Sequence, residues 1–105
     1  MAIQKQCKNK RKSELERVYY IDLMEVHSKE DLQDLLVKEL PLPDYYGRNL
    51  DAFNDVLREY GDEWNLIFYN SKFAQYRLDK YFEAFRRLCE EACEDMAGLQ
   101  IRFYP

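Results

Sequence analysis

A chain of 105 residues has room for one hydrophobic core and too little length for two. At 47% hydrophobic and 15% aromatic residues it is composed to fold rather than to stay disordered, and no apolar run approaches the roughly 18 residues of a membrane span. The formal net charge of −4 weighs against nucleic acid as the main partner, because an acidic surface repels phosphates and attracts basic proteins.

That charge is unevenly spread. Residues 1–17 hold Lys5, Lys8, Lys10, Arg11, Lys12 and Arg17 against Glu14 and Glu16, a net +4, which leaves ten basic and eighteen acidic residues, or −8, on the remainder. The segment 1–17 reads as a solvated basic arm, and 18–105 as the folded domain. The arm lacks the apolar stretch of a secretory signal, so a cytoplasmic location is expected.

Val18-Tyr19-Tyr20-Ile21-Asp22-Leu23 is rich in β-branched and aromatic residues and predicts a buried strand. Ser28 with Asp31 three residues on is a variant of the capping box, and Leu32, Leu35, Leu36 and Leu40 recur at helical spacing, predicting a helix over 28–40. Pro41 ends it, Pro43 favours extended backbone, and Gly47 is expected to supply a turn that other residues resist. Asn49 is a candidate N-cap for a second helix whose apolar seam is Leu50, Phe53, Leu57 and Tyr60, closing near Gly61.

Trp64 to Tyr69 predicts a second buried strand, and Asn70 with Ser71 can cap a short helical turn over 71–75. A long helix is expected over about 77–95, with Leu78, Phe82, Phe85, Leu88, Cys89 and Ala92 on one face, broken by Gly98. Leu99 to Tyr104 alternates enough to be a strand near a sheet edge. Helices between successive strands imply right-handed crossovers, so the expected fold is a small α/β domain with a three-stranded parallel sheet and about four helices.

Little in the chain is equipped for catalysis. Its three glycines, Gly47, Gly61 and Gly98, form no phosphate-binding loop, and the single His27 has no nucleophile beside it in sequence. Cys7, Cys89 and Cys93 are odd in number and fit reduced thiols rather than a disulfide framework. Cys93 has acidic neighbours, which raise a thiol's pKa, and Cys89 with Cys93 falls short of a four-ligand zinc site. No metal or cofactor is expected. Asp51 and Asp55 are a carboxylate pair that could in principle serve a hydrolase, but acid–base pairs want a concave, partly dry site rather than the exposed flank of a helix.

The same carboxylates read differently in a binding surface. Asp51, Asp55 and Glu59 recur one helical turn apart, and residues 44–63 hold six acids against Arg48 and Arg58. Like charges at this spacing weaken an isolated helix by roughly 0.2–0.5 kcal/mol per pair. The helix dipole accounts for Asp51 in the first turn but not for Asp55 or Glu59, which are either a plain solvated face or a partner's docking row. Tyr45 and Tyr46 sit beside them in a tight loop; Tyr46 is expected inward, leaving Tyr45 as an aromatic anchor of the kind enriched at interfaces.

The stretch Leu42-Pro43-Asp44-Tyr45-Tyr46-Gly47-Arg48-Asn49-Leu50-Asp51-Ala52-Phe53-Asn54-Asp55 resembles the signature of the barstar family, intracellular inhibitors of the secreted ribonuclease barnase. The resemblance covers about 18–105 and implies a small α/β fold, no enzymatic activity, and inhibition by plugging a ribonuclease cleft with the second helix and its preceding loop. It also implies that Tyr45 is the loop aromatic, Asp51 a flanking carboxylate and Asp55 the central mimic of RNA phosphate; Asn54, Arg58 and Glu59, beside them on the same helix, complete the candidate partner-binding set. The implied role is that of an antitoxin or immunity protein against a basic ribonuclease or related toxin, without direct contact to nucleic acid or membrane.

Three positions depart from the family pattern. Asn54 stands where the family has a tryptophan, Arg48 replaces an acid, and a further carboxylate on the last helix has only Glu90 or Glu91 as candidate counterparts. The alternative reading is a module of this fold that binds a basic protein other than a nuclease.

Overall fold

A computed structural model describes residues 16–105. The expected basic arm therefore lies outside the described residues apart from its end, and Arg17 already belongs to the first strand.

The elements are β1 (Arg17–Asp22), α1 (Lys29–Glu39), α2 (Leu50–Tyr60), β2 (Trp64–Tyr69), α3 (Ser71–Leu78), α4 (Lys80–Asp95) and β3 (Gln100–Phe103). The strands lie in the order β1-β2-β3, all parallel, so the small α/β architecture expected from the chain is the one found. The register sets Ile21 beside Phe68 and Phe68 beside Phe103 on one face of the sheet. That face meets the helices, whereas neighbouring rows carry the exposed Val18 and Tyr20 on the other face, so the domain has two layers.

The interior is a run of aromatic rings. Phe53 of α2 stacks on Phe85 of α4 with centroids 5.5 Å apart, Phe85 meets Phe68 of β2 edge-on at 5.4 Å, and Phe68 stacks on Phe103 of β3 at 5.0 Å. Phe53, Phe68 and Phe85 are all fully buried. Aromatic contacts of this kind add about 0.5–1.5 kcal/mol each beyond the burial of area. They join α2 through α4 to the sheet, so the backbone of α2 is fixed by core packing.

Capping follows the sequence closely at two helices. Ser28 Oγ accepts from Asp31 N at 3.0 Å, and the Asp31 carboxylate accepts from the backbone N–H of His27, one residue further out than a standard capping box. Asn49 Oδ1 accepts from Ala52 N at 2.7 Å and starts α2. Asn70 does not cap α3 with its side chain; its backbone is left-handed at φ 60°, and its amide reaches back to Asp22 at 2.8 Å.

The long last helix is shorter than expected. α3 runs on to Leu78, and α4 begins only at Lys80 because Asp79, at φ 51°, breaks the path between them. Leu78, expected on the face of the long helix, therefore ends α3 instead.

Candidate interaction surface

The loop before α2 is a tight turn, with Tyr46 N–H donating to Pro43 O at 3.0 Å. Asp44 and Tyr45 occupy its corner. The chain reverses there, so the paired tyrosines part: Tyr46 turns inward and is buried, while Tyr45 is 73% exposed. The inward one is the one expected.

Tyr46 is held by polar contacts that no sequence pattern foretells. Its hydroxyl donates to Gln33 Oε1, and Gln33 Nε2 donates to the Tyr81 hydroxyl at 3.1 Å. Gln33 is buried, and the three side chains tie the loop to α1 and α4. Burial, with help from nearby Tyr81, drives the Tyr46 phenol far above its ordinary pKa near 10, although the hydrogen bond to Gln33 pulls the other way.

Gly47 does not supply the left-handed turn expected of it. No described glycine has positive φ; the left-handed residue is Arg48, at φ 57°. Gly47 is small for a different reason: a Cβ there would lie 3.2 Å from the Cβ of Ala52, so the loop closes tightly onto the first turn of α2.

On α2 each residue turns the helix by about 100°. Asp51, Asp55 and Glu59 therefore fall within one narrow stripe, opposite the buried Phe53, Val56 and Leu57. All three acids are exposed. Tyr60, expected in the apolar seam, is instead 41% exposed at the helix end, and buried Val56 takes its place in the core.

The acidic stripe is a ridge with two borders. On one flank runs the loop, from Gly47 against Ala52 to Tyr45, whose hydroxyl lies 2.7 Å from that of Tyr60. On the other flank Arg58 bonds Asn54 Oδ1 through Nε at 3.1 Å and Asp95 of α4 through Nη1 at 2.7 Å. The candidate residues Tyr45, Asp51, Asn54, Asp55, Arg58 and Glu59 thus share one surface, but Arg58 and Asn54 are engaged with the molecule itself.

Both arginines near the ridge are drawn to carboxylates off it, Arg48 to Asp34 on α1 and Arg58 to Asp95. Among the described residues no ion pair involves Asp51, Asp55 or Glu59. The stripe keeps its charge unpaired and faces outward. This convex placement is unsuited to acid–base catalysis.

Sequence reasoning missed Tyr60 and Asp95. Tyr60 follows the apolar spacing of α2, and Asp95 stands one turn beyond Glu91, the nearer of the two acids considered on the last helix. Only the close passage of α2 along α4 identifies Asp95 as the carboxylate joined to this surface.

The two described cysteines are free thiols in settings that disfavour the thiolate. Cys89 is fully buried and Cys93 half-buried, and burial is the main cause of the raised pKa of both thiols. Among the described residues no cluster of three or more metal-ligating side chains occurs, and no helix is long and apolar enough to cross a membrane.

Comparison with known proteins adds a family. The family model described as "Barstar (barnase inhibitor)" matches residues 16–104. A protein of Bacillus subtilis (strain 168) with the name "Putative ribonuclease inhibitor YrdF" is 36% identical over 81 residues, covering 76% of this chain and 89% of its own length.

Proposed function

The chain belongs to the barstar family, and from that membership we propose that it inhibits a basic ribonuclease by laying the ridge of α2 into the enzyme's active-site cleft. In this reading Asp55, flanked by Asp51 and Glu59, takes the place of RNA phosphate and accepts charge-assisted hydrogen bonds from the nuclease's Arg, Lys or His⁺ groups. Tyr45 supplies aromatic contact area beside them. The chain acts as a stoichiometric plug and not as an enzyme, and it serves as an antitoxin or immunity protein in the cytoplasm.

One observation carries the reading. Three carboxylates project from a helix whose backbone the core holds rigid, and both nearby arginines are tied to other acids. A rigid array of unpaired charge loses little on docking and gains desolvated pairs with a cationic cleft.

Calorimetric titration against barnase, the nuclease named in the family description, tests it. Asp55→Ala is expected to cost about 2–5 kcal/mol of binding, as for one partner of a buried charge pair, a range to which the barnase–barstar complex itself contributes. Glu83→Ala, an exposed acid on α4 away from the ridge, is expected to cost nothing measurable. Unchanged binding by Asp55→Ala with a large loss from Glu83→Ala contradicts the assignment. Affinity capture from the source cells separates this function from the docking of another basic protein, which predicts no ribonuclease among the captured proteins.

A further inference from the structure

The structure places one residue at this surface that the family motif does not account for. Tyr45 is 73% exposed, so packing does not hold its ring, and among the described residues its side chain has one hydrogen bond, to the hydroxyl of Tyr60 at 2.7 Å. Tyr60 stands on the last turn of α2, whose backbone is anchored by buried Val56 and Leu57. The two tyrosines flank the acidic stripe from different parts of the chain, one on the turn before the helix and one at its far end.

We propose that Tyr60 is a positioning residue of the interface: its hydroxyl, bonded to that of Tyr45 along the flank of α2, fixes the Tyr45 ring in its partner-binding pose before any partner arrives. The inference rests on the inhibitor reading for the partner, but not for the ordering of the ring.

Two phenols share one bonding proton, so one hydroxyl donates, the other accepts, and a single O–H remains free to face outward. An exposed tyrosine otherwise samples several rotamers, and freezing them on docking weakens binding. Tyr60 performs this ordering within the free chain. Its phenol pKa is pushed up to about 12, chiefly by the hydrogen bond to Tyr45, as expected of a group whose proton is shared.

The test uses the full chain with ring-13C-labelled tyrosine, the variants Tyr60→Phe and Tyr45→Phe and their double, and barnase as probe. In the free chain, Tyr60→Phe is expected to lower the NMR order of the Tyr45 ring while leaving the melting temperature unchanged. Against barnase, each single variant is expected to raise the dissociation rate by about two- to tenfold. The double variant is expected to do no worse than either single, because both remove one shared bond. A Tyr45 ring equally ordered without the Tyr60 hydroxyl overturns the proposal, as do single losses that multiply in the double variant. If barnase does not bind the unaltered chain, inhibition of that nuclease is what fails, and the order of the Tyr45 ring alone decides: its loss in Tyr60→Phe upholds the positioning role and its persistence refutes it.

Discussion

At the scale of single residues, the candidate site divides into groups that face a partner and groups that brace the molecule. Asp51, Asp55 and Glu59, exposed and outside any ion pair among the described residues, are proposed for the first, whereas Arg58 spans Asn54 and Asp95. Arg58→Ala removes a half-exposed surface ion pair, so it is expected to change stability by no more than about 1 kcal/mol in denaturant unfolding. It also makes the ridge more negative, so stopped-flow association with a basic nuclease at low salt is expected to accelerate. Slower association would make Arg58 a contact instead of a brace.

Tyr46 supplies a pH dependence. The folded chain holds this phenol protonated above its ordinary pKa near 10, so above that pH the unfolded chain binds fewer protons and stability falls as pH rises. Tyr46→Phe is expected to flatten that alkaline fall relative to the unaltered chain in unfolding curves recorded above pH 10; an identical slope would show that Tyr46 does not contribute. The acidic stripe was legible in the sequence because helical spacing alone aligns it. The Tyr46–Gln33–Tyr81 contacts were not, since no spacing rule relates positions on a loop and two separate helices.

Among the elements, boundaries set by caps and proline were legible, as at Ser28, Pro41 and Asn49. The break between α3 and α4 was not, because Asp79 is an ordinary helix residue in sequence and adopts φ 51° only where the chain must redirect α4 across the sheet. A non-glycine residue in that region costs on the order of 1–3 kcal/mol. Asp79→Gly is therefore expected to raise stability by about 1 kcal/mol in chemical denaturation, and a loss of stability would contradict the backbone geometry. The turn before α2 shows the same limit. Gly47 drew attention as the flexible residue, yet the left-handed conformation falls on Arg48, and Gly47 instead lies where Ala52 approaches closely.

For the whole molecule, the two layers bury one face of α2 and leave the other to solvent. α2 is fastened inward by Phe53 on Phe85 and through it to the sheet, and its outer edge carries the unpaired acids. Residues 18–105 carry a net −8. Such a body meets a basic partner by steered diffusion, so association is expected to slow steeply as salt rises, with dissociation far less affected. The Debye length falls from about 10 Å at 0.1 M salt to about 3 Å at 1 M, which confines the effect to encounter.

Whether the α2 carboxylates occupy the place of RNA phosphate is decided by steady-state inhibition of barnase against an RNA dinucleotide at fixed ionic strength. Inhibition is expected to be competitive with the dinucleotide and to be lost in large part in Asp51→Asn/Asp55→Asn while the fold remains intact by circular dichroism. Inhibition that is non-competitive, or that persists at full strength in the folded double variant, would contradict that placement.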